Sequence, residues 1–425
     1  MILVVGMGKS GMETARYLKN HQIPFHAFDE KKPASAVIDA IGPGDFRYFN
    51  ERPSVEDYEF LVLSPGIPLT HPLVIAAREK KVPTLSEIEF AFRQTNGRIV
   101  AVTGSNGKST TASLIHHLLA ENGLNTSLCG NIGVPFISCL TNDPQHIYVV
   151  EVSSFQMEHV RDFCPEVGLL LNIAPDHLDR HGSMEAYTAA KLIMFARQEA
   201  GHLAITHPDF LGQLPGKGEK ITVPGPSVEL ARGIIRAGCD FEIPNSCLPL
   251  LGAHNRMNAL FACMAVQYFG LTAEAAARVL PDFKGLEHRM EKVGIYKDVL
   301  WINDSKATNV HATQAAVYSI EQDYVLVLGG CDKGERFDSL NFQNRAPRAI
   351  VAYGEMAPLI MNDLHQWNPV HIHEFDEACL KAHQLAQPGD ALLMSPACAS
   401  FDQFSNFMAR GHAFKDLFGK LAGAS

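Results

Sequence analysis

The chain has 425 residues, 46% of them hydrophobic and 19% charged, with a formal net charge of −10. That length suffices for two or three domains with cores of their own. The acidic balance excludes the broad basic face that nucleic acid or an anionic membrane needs, and no apolar run approaches the roughly 20 residues of a membrane span. Nine scattered cysteines without a Cys-x-x-Cys pair point to a reducing compartment and away from structural zinc. The opening Met1 to Gly6 lacks the basic region of a signal peptide, so a cytoplasmic location is expected.

Taken in order, Ile2 to Val5 predicts a strand. Gly6-Met7-Gly8-Lys9-Ser10-Gly11 follows, then a helix through Ala15 and Leu18. This is the glycine turn of a Rossmann-like unit. Phe25 to Asp29 predicts the second strand, ending in a carboxylate placed to accept a sugar hydroxyl. These residues alone favour dinucleotide binding for redox chemistry. Phe60 to Leu63 predicts another strand, running into the loop Ser64-Pro65-Gly66-Ile67-Pro68. Loops at the carboxyl ends of open α/β sheets hold ligands. A polar turn near Gln94 closes this first domain, residues 1–94.

Ile99 to Val102 predicts a buried strand, followed by Thr103-Gly104-Ser105-Asn106-Gly107-Lys108-Ser109-Thr110 and a helix with Leu114, Ile115, Leu118 and Leu119 on one stripe. The common P-loop has a glycine where this chain has Val102; the form here is the shorter Gly-x-x-Gly-Lys-Ser. Loop N–H groups and a helix N-terminus suit phosphate, Lys108 adds a charge, and Ser109 can hold Mg²⁺. Gly130-Asn131-Ile132-Gly133 is a turn with a free amide. His146 to Glu151 predicts a strand ending in a carboxylate, either a magnesium ligand or a solvated strand end. Gly168 to Ile173 predicts a strand leading to Asp176-His177-Leu178-Asp179-Arg180-His181, too dense in acids and histidines for an ordinary loop.

In the next helix Lys191 sits alone among apolar residues. Such a lysine usually snorkels to water, but a desolvated amine becomes nucleophilic and can take up CO₂ as a carbamate. Residues 200 to 250 show short strands and no reactive cluster. Asn255 and Asn258, three apart on a helix, either reach an adenine edge or cap the helix. The central domain is set at residues 95–286. A last domain, 287–425, alternates strands at Val299 to Ile302, Tyr324 to Leu328, Ala349 to Tyr353 and Ala391 to Met394 with helices, and gathers its polar residues in the loops after them. The fold class is α/β in three domains: a Rossmann-like N-terminal domain, a central P-loop-type ATPase domain and a Rossmann-like C-terminal domain.

The order of Thr103 to Ser109, Gly130 to Gly133, Glu151-Val152-Ser153-Ser154-Phe155-Gln156, Asp176 to Arg180, His254-Asn255, Asn303-Asp304-Ser305-Lys306-Ala307-Thr308-Asn309 and Ser395 to Phe404 resembles the Mur ligases over essentially the whole chain. The Ser-Ser-Phe-Gln and Ser-Pro-Ala-Cys-Ala-Ser stretches resemble the D-glutamate-adding branch. The resemblance reassigns the Gly6 to Gly11 turn from a dinucleotide to uridine diphosphate. It implies ATP-dependent amide formation between UDP-N-acetylmuramoyl-L-alanine and D-glutamate through an acyl phosphate, in cytoplasmic peptidoglycan precursor synthesis, by a protein acting as a monomer.

By the same resemblance Gly8, Lys9, Ser10, Asp29, Ser64, Gly66, Asn131 and His177 bind the UDP substrate. Gly104, Ser105, Asn106, Gly107, Lys108, Ser109, Thr110, Asn255, Asn258, Arg289 and Asp304 bind ATP. Lys306, Thr308, Lys333, Ser400 and Phe407 hold D-glutamate. Ser109 and Glu151 hold one Mg²⁺, and His177 with a CO₂-derived carbamate on Lys191 a second; Lys108, Glu151, His177 and Lys191 form the catalytic set. The resemblance also implies domains that close on ligand binding. Another ligase of the same superfamily acting on folate or polyglutamate, a nicotinamide oxidoreductase and a non-enzymatic ATP switch are the competing readings.

Overall fold

The computed structural model describes the chain except residues 43–44, 49–51, 225–227, 232–233, 238–241, 249, 251, 332–333, 335, 343–344 and 424–425. Its contacts divide into two units, Met1–Leu248 with Met257–Phe283, and Pro249–Arg256 with Lys284–Ser425.

The first unit opens with β1 (Ile2–Val5), α1 (Lys9–Asn20), β2 (Phe25–Asp29), α2 (Ser35–Ile41), β3 (Phe46–Tyr48), β4 (Phe60–Leu63), α3 (Pro72–Glu79), β5 (Thr84–Ser86) and α4 (Glu87–Phe92). All five strands run parallel in the order β3-β2-β1-β4-β5. The Ile-Leu-Val-Val of β1 is buried throughout, as a strand covered by helices on both faces must be. Travel across the sheet reverses between β1 and β4, which opens a crevice at their carboxyl ends.

The second sheet is built from β6 (Arg98–Thr103), α5 (Lys108–Ala120), β7 (Thr126–Gly130), β8 (Ile147–Glu151), α6 (Ser154–Met157), β9 (Val167–Leu170), α7 (Leu178–His181), α8 (Met184–Leu192), β10 (Leu203–Thr206) and β11 (Glu219–Thr222). It is parallel, in the order β11-β10-β9-β6-β8-β7, so the strand feeding the phosphate loop lies between β9 and β8. Leu114, Ile115, Leu118 and Leu119 of α5 are fully buried. Ser183 caps α8, its hydroxyl accepting from the Ala186 N–H at 3.2 Å. A small antiparallel sheet of β12 (Val228–Ala231), β13 (Ile234–Ala237) and β14 (Glu242–Pro244) precedes α9 (Ala253–Tyr268) and α10 (Ala273–Val279).

Where the sequence suggests a boundary after residue 94, apolar packing continues without a break. One core contains Val4, Ala15, Leu18, Ile88 and Phe90 together with Ala101, Phe136, Tyr148 and Val150. Two buried carboxylates reinforce the join. Glu87 Oε1 accepts from the Ile137 N–H at 2.7 Å, and Glu89 accepts from the N–H groups of Arg161, Asp162 and Phe163. Position 94 therefore separates two sheets within one packing unit.

The second unit holds β15 (Glu291–Tyr296), β16 (Val299–Asn303), α11 (Val310–Ser319), β17 (Tyr324–Gly329), β18 (Ala349–Tyr353), α12 (Ala357–Asp363), β19 (Val370–His371), α13 (Phe375–Leu385), β20 (Ala391–Ala397) and α14 (Phe407–Gly423). The order is β15-β16-β20-β17-β18-β19, parallel except for the antiparallel edge strand β15. Separate apolar clusters cover its two faces. Among the described residues no helix is long and apolar enough to cross a membrane.

Candidate active site

The phosphate loop leaves β6 with Gly104 at φ 150° and enters α5 through Gly107 at φ 82°, backbone that disfavours any side chain. Gly107 has a second reason to be glycine: a Cβ there would stand 2.4 Å from Asn258 Oδ1. The loop is braced from the β9 side. Ser105 N–H and Asn106 N–H donate to Asn172, and Ser105 Oγ lies 3.0 Å from both the Ala174 carbonyl and the Tyr187 hydroxyl. Asn172 and Tyr187 are functional neighbours that the sequence reading missed, because neither lies in a reactive-looking run. Ser109 is half-buried and Thr110 buried on the first turn of α5.

Two lysine amines meet on one carbonyl. Lys108 Nζ donates to Gly104 O at 2.8 Å and to Ser105 O at 2.9 Å, while Lys191 Nζ donates to the same Gly104 O at 3.0 Å. Lys191 is 2% exposed and lies over the Tyr187 ring, 4.5 Å from its centroid. The expectation that it snorkels to water is thereby overturned: α8 turns it inward. Burial first, and the neighbouring charge of Lys108 second, pull its pKa from 10.5 down to about 7.

Glu151 ends β8 beside this pair and is 1% exposed, which overturns the alternative of a solvated strand end. Its Oε1 accepts from Asn131 Nδ2 at 2.7 Å, but Oε2 is buried with no hydrogen-bond partner among the described residues. A buried carboxylate oxygen with nothing to accept from is costly, and a divalent cation is the chemistry it suits. His177 is half-exposed at φ 52°, with Nε2 3.4 Å from Asp176 Oδ2 and its ring 4.8 Å from that of Phe155.

At the first sheet, Asp29 accepts from the N–H groups of Met7 at 2.6 Å and Lys31 at 2.9 Å, fixing the carboxylate at the mouth of the crevice. Ser64 Oγ donates to Gly6 O at 2.7 Å, tying the loop after β4 to the glycine turn. Gly11 permits that turn, since a Cβ would come within 1.9 Å of Gly6 O. Lys9 donates to the carbonyl of Gly133, so the turn also reaches the Gly130 to Gly133 loop that carries Asn131. Gly8 and Gly66 are exposed and Ser10 half-buried. All the residues expected to bind the UDP substrate thus belong to the same unit as the phosphate loop.

In the second unit, Arg410 of α14 is fully buried and gathers the loops at the carboxyl ends of four strands. It donates to Ser305 Oγ, Ser305 O, Gly329 O, Tyr353 Oη, Cys398 O and Ala399 O at 2.9–3.4 Å. These loops carry Lys306, Thr308 and Ser400, and Phe407 opens α14 itself. Lys306 Nζ stands over the Phe407 ring, 4.1 Å from its centroid, and Ser400 is buried. A lone arginine on an apolar helix looks like a surface residue in sequence, so Arg410 too was missed. Asp304 accepts from Met290 N–H at 3.1 Å and Ser395 Oγ at 2.7 Å, and burial pushes its carboxyl up to about 7. Arg289 is half-buried, and its charge is felt at Asp304. Asn255 and Asn258 are both buried on α9. Lys333 lies outside the described residues.

Comparison with known proteins gives three family matches. Residues 1–86 match the Mur ligase MurD-like N-terminal domain, 102–223 the Mur ligase middle domain, and 288–398 the Mur ligase glutamate ligase domain. The chain is 35% identical to a UDP-N-acetylmuramoylalanine–D-glutamate ligase of Alkaliphilus metalliredigens, over 99% of this chain and 98% of that one. It is 37% identical to the protein of that name from Pelotomaculum thermopropionicum, over 98% and 96%. Among solved structures, the MurF ligase of Thermotoga maritima in complex with ADP superposes with a TM-score of 0.61 at 14% identity, covering 100% of this chain and 95% of that one. The UDP-N-acetylmuramate–alanine ligase of the same organism gives 0.60 at 15%, covering 99% of each.

Proposed function

The chain belongs to the Mur ligase family, and from that premise we propose that it is the ATP-dependent ligase that joins D-glutamate to UDP-N-acetylmuramoyl-L-alanine in peptidoglycan precursor synthesis. ATP phosphorylates the alanyl carboxylate, and the amine of D-glutamate attacks the acyl phosphate and expels phosphate. Phosphoryl transfer leaves little covalent work to a protein, so positioning and charge neutralisation carry it.

The observation that carries this reading is the combination of a braced phosphate loop with the unpartnered Glu151 Oε2 beside it. Lys108 and the loop N–H groups would hold the β- and γ-phosphates, and Asn255 and Asn258 the adenine. Arg289 and Asp304 are assigned to the ribose and phosphates. The residues present fit Mg²⁺: Ser109 and Glu151 supply hard oxygen ligands, and His177 with a modified Lys191 would hold a second ion. Bound there, Mg²⁺ would neutralise phosphate charge and polarise the carboxylate. Lys191 fits a carbamate because burial lowers its pKa to about 7, so a sizeable share of the amine is uncharged at that pH, and CO₂ needs the uncharged amine; the product would bring an anionic oxygen that the imidazole of His177 cannot. On the first sheet, the Gly8 to Ser10 turn, Asp29, Ser64, Gly66 and Asn131 would bind the uridine diphosphate sugar. In the second unit Lys306, Thr308, Lys333, Ser400 and Phe407 would receive D-glutamate, whose carboxylates need cations and hydroxyls.

The test is phosphate release from ATP in the presence of UDP-N-acetylmuramoyl-L-alanine, with and without D-glutamate. Release is expected only with both. Equal turnover with L-glutamate or with a folate acceptor overturns the assignment. Calorimetry should show tighter binding of the uridine substrate than of NADH; the reverse order restores the dinucleotide reading of Gly6 to Gly11.

A further inference from the structure

Arg180, on α7, is 18% exposed and reaches from the His177 loop to the first sheet. Its Nη1 donates to Pro65 O at 2.9 Å and its Nη2 to Ile67 O at 3.1 Å. Glu158, 6% exposed, holds the other edge of the guanidinium, accepting from Nε at 3.1 Å and Nη2 at 2.6 Å. The Phe155 ring lies beneath, 4.2 Å from Cζ. A planar cation anchored by a carboxylate on one edge, stacked on an aromatic ring, and offering its remaining donors to two carbonyls has only one orientation.

Those two carbonyls flank Gly66. In a trans peptide the C=O of Pro65 and the N–H of Gly66 point in opposite directions, so a guanidinium that captures Pro65 O turns the Gly66 N–H away from itself. That N–H has no protein acceptor among the described residues, and Gly66 is exposed. Ser64 Oγ pins the near end of the same loop to Gly6 O at 2.7 Å. We propose that Arg180 is a positioning residue for the sugar nucleotide: it fixes the loop after β4 so that the Gly66 N–H faces the ligand as a donor to phosphate or sugar oxygen. This rests on the assignment of that crevice to the uridine diphosphate substrate. Neither nucleotide hydrolysis chemistry nor the phosphate loop requires it.

The test is steady-state kinetics on Arg180→Lys, Gly66→Pro and the double variant. Lysine keeps the charge but cannot hold two carbonyls and a carboxylate in one plane. Proline removes the Gly66 N–H at a position where a Cβ meets nothing within 4 Å and φ is not left-handed. Each single variant should raise KM for UDP-N-acetylmuramoyl-L-alanine about tenfold or more, the loss of a charge-assisted or buried hydrogen bond, with KM for ATP within about twofold. The double variant should be no worse than the poorer single one, since both act on one donor. Wild-type KM in Arg180→Lys, equal rises for both substrates, or additive effects in the double variant overturn the proposal. If Arg180→Lys does not fold, a wild-type KM in Gly66→Pro overturns it alone. A wild-type protein without turnover fails the ligase assignment instead, and calorimetry with UDP then decides: unweakened binding in both variants refutes the positioning role.

Discussion

Lys191 and Glu151 beside the phosphate loop are buried as deeply as Arg410 and Asp304 beneath the loops of the second unit, at 2%, 1%, 0% and 5% exposed, yet they are hydrogen-bonded very differently. The Arg410 guanidinium meets six protein acceptors and both oxygens of Asp304 are occupied. Among the described residues Lys191 has a single carbonyl acceptor, already shared with Lys108, and Glu151 Oε2 has no hydrogen-bond partner. Burial of charge is costly in both places. Arg410, whose guanidinium the protein satisfies by itself, is architecture. Beside the phosphate loop the protein does not do so, and the proposed Mg²⁺ would supply the missing partner of Glu151, so depth of burial alone does not distinguish a structural charge from a chemical one.

The contrast can be broken most sharply at Lys191. Lys191→Ala should lose about a thousandfold of turnover while keeping the fold, the scale of one pre-organised electrostatic group, and a short carboxylic acid should restore part of it. Lys191→Met and Lys191→Arg should both fail as well. Full activity in Met would mean that the side chain only packs, and in Arg that it acts as a cation.

Arg410→Met tests the architectural side. Six acceptors would lose their donor, a cost of about 3–5 kcal/mol for removing one member of a buried charged network, read as a melting transition lowered by on the order of 10 °C. A stable variant with impaired D-glutamate turnover alone would show Arg410 to be chemical after all. At Glu151, Glu151→Gln should cost about a hundredfold in phosphate release. Its melting temperature should hold or rise, because the amide still accepts from Asn131 and the unpartnered charge is gone. A fall in stability matching the fall in activity would put Glu151 with Arg410.

The smallest effect is a pH dependence. Lys191 has a folded pKa of about 7 against about 10.4 unfolded, so between these values the unfolded chain binds more protons. Its contribution to stability is therefore present above about pH 10 and lost as pH falls to about 7. In CO₂-free buffer, the melting temperature of Lys191→Met relative to wild type should rise as pH drops across that window. A difference that stays flat would mean that the amine is not desolvated.

Strands of continuous apolar residues were legible in sequence to the residue: Phe25–Asp29, Phe60–Leu63 and Ala349–Tyr353 lie where the pattern puts them. The edge strand Glu291–Tyr296 was not, since it alternates little, is partly exposed, and carries an irregularity between Lys292 and Gly294. At the candidate site, residues in glycine turns and at strand tips announced themselves by spacing. Tyr187, Asn172 and Arg410 did not, and Arg180 stood inside a recognised stretch without a role of its own, because their partners are remote in sequence and only the fold brings them near. The shared core of the first two sheets escaped notice for the same reason.

That core bears on how the protein can be taken apart. α1 and α4 pack on the segment Phe136–Cys139, and the carboxylates of Glu87 and Glu89 take backbone donors from beyond residue 130. A stop codon near residue 95 would leave a fragment with a bare apolar flank and two stranded acids, prone to self-association. Swapping the front end between relatives would succeed only if the graft carried the matching Phe136–Cys139 turn and the Arg161–Phe163 stretch with it. Inheritance of the first sheet is, in this sense, linked to that of the sheet carrying the phosphate loop.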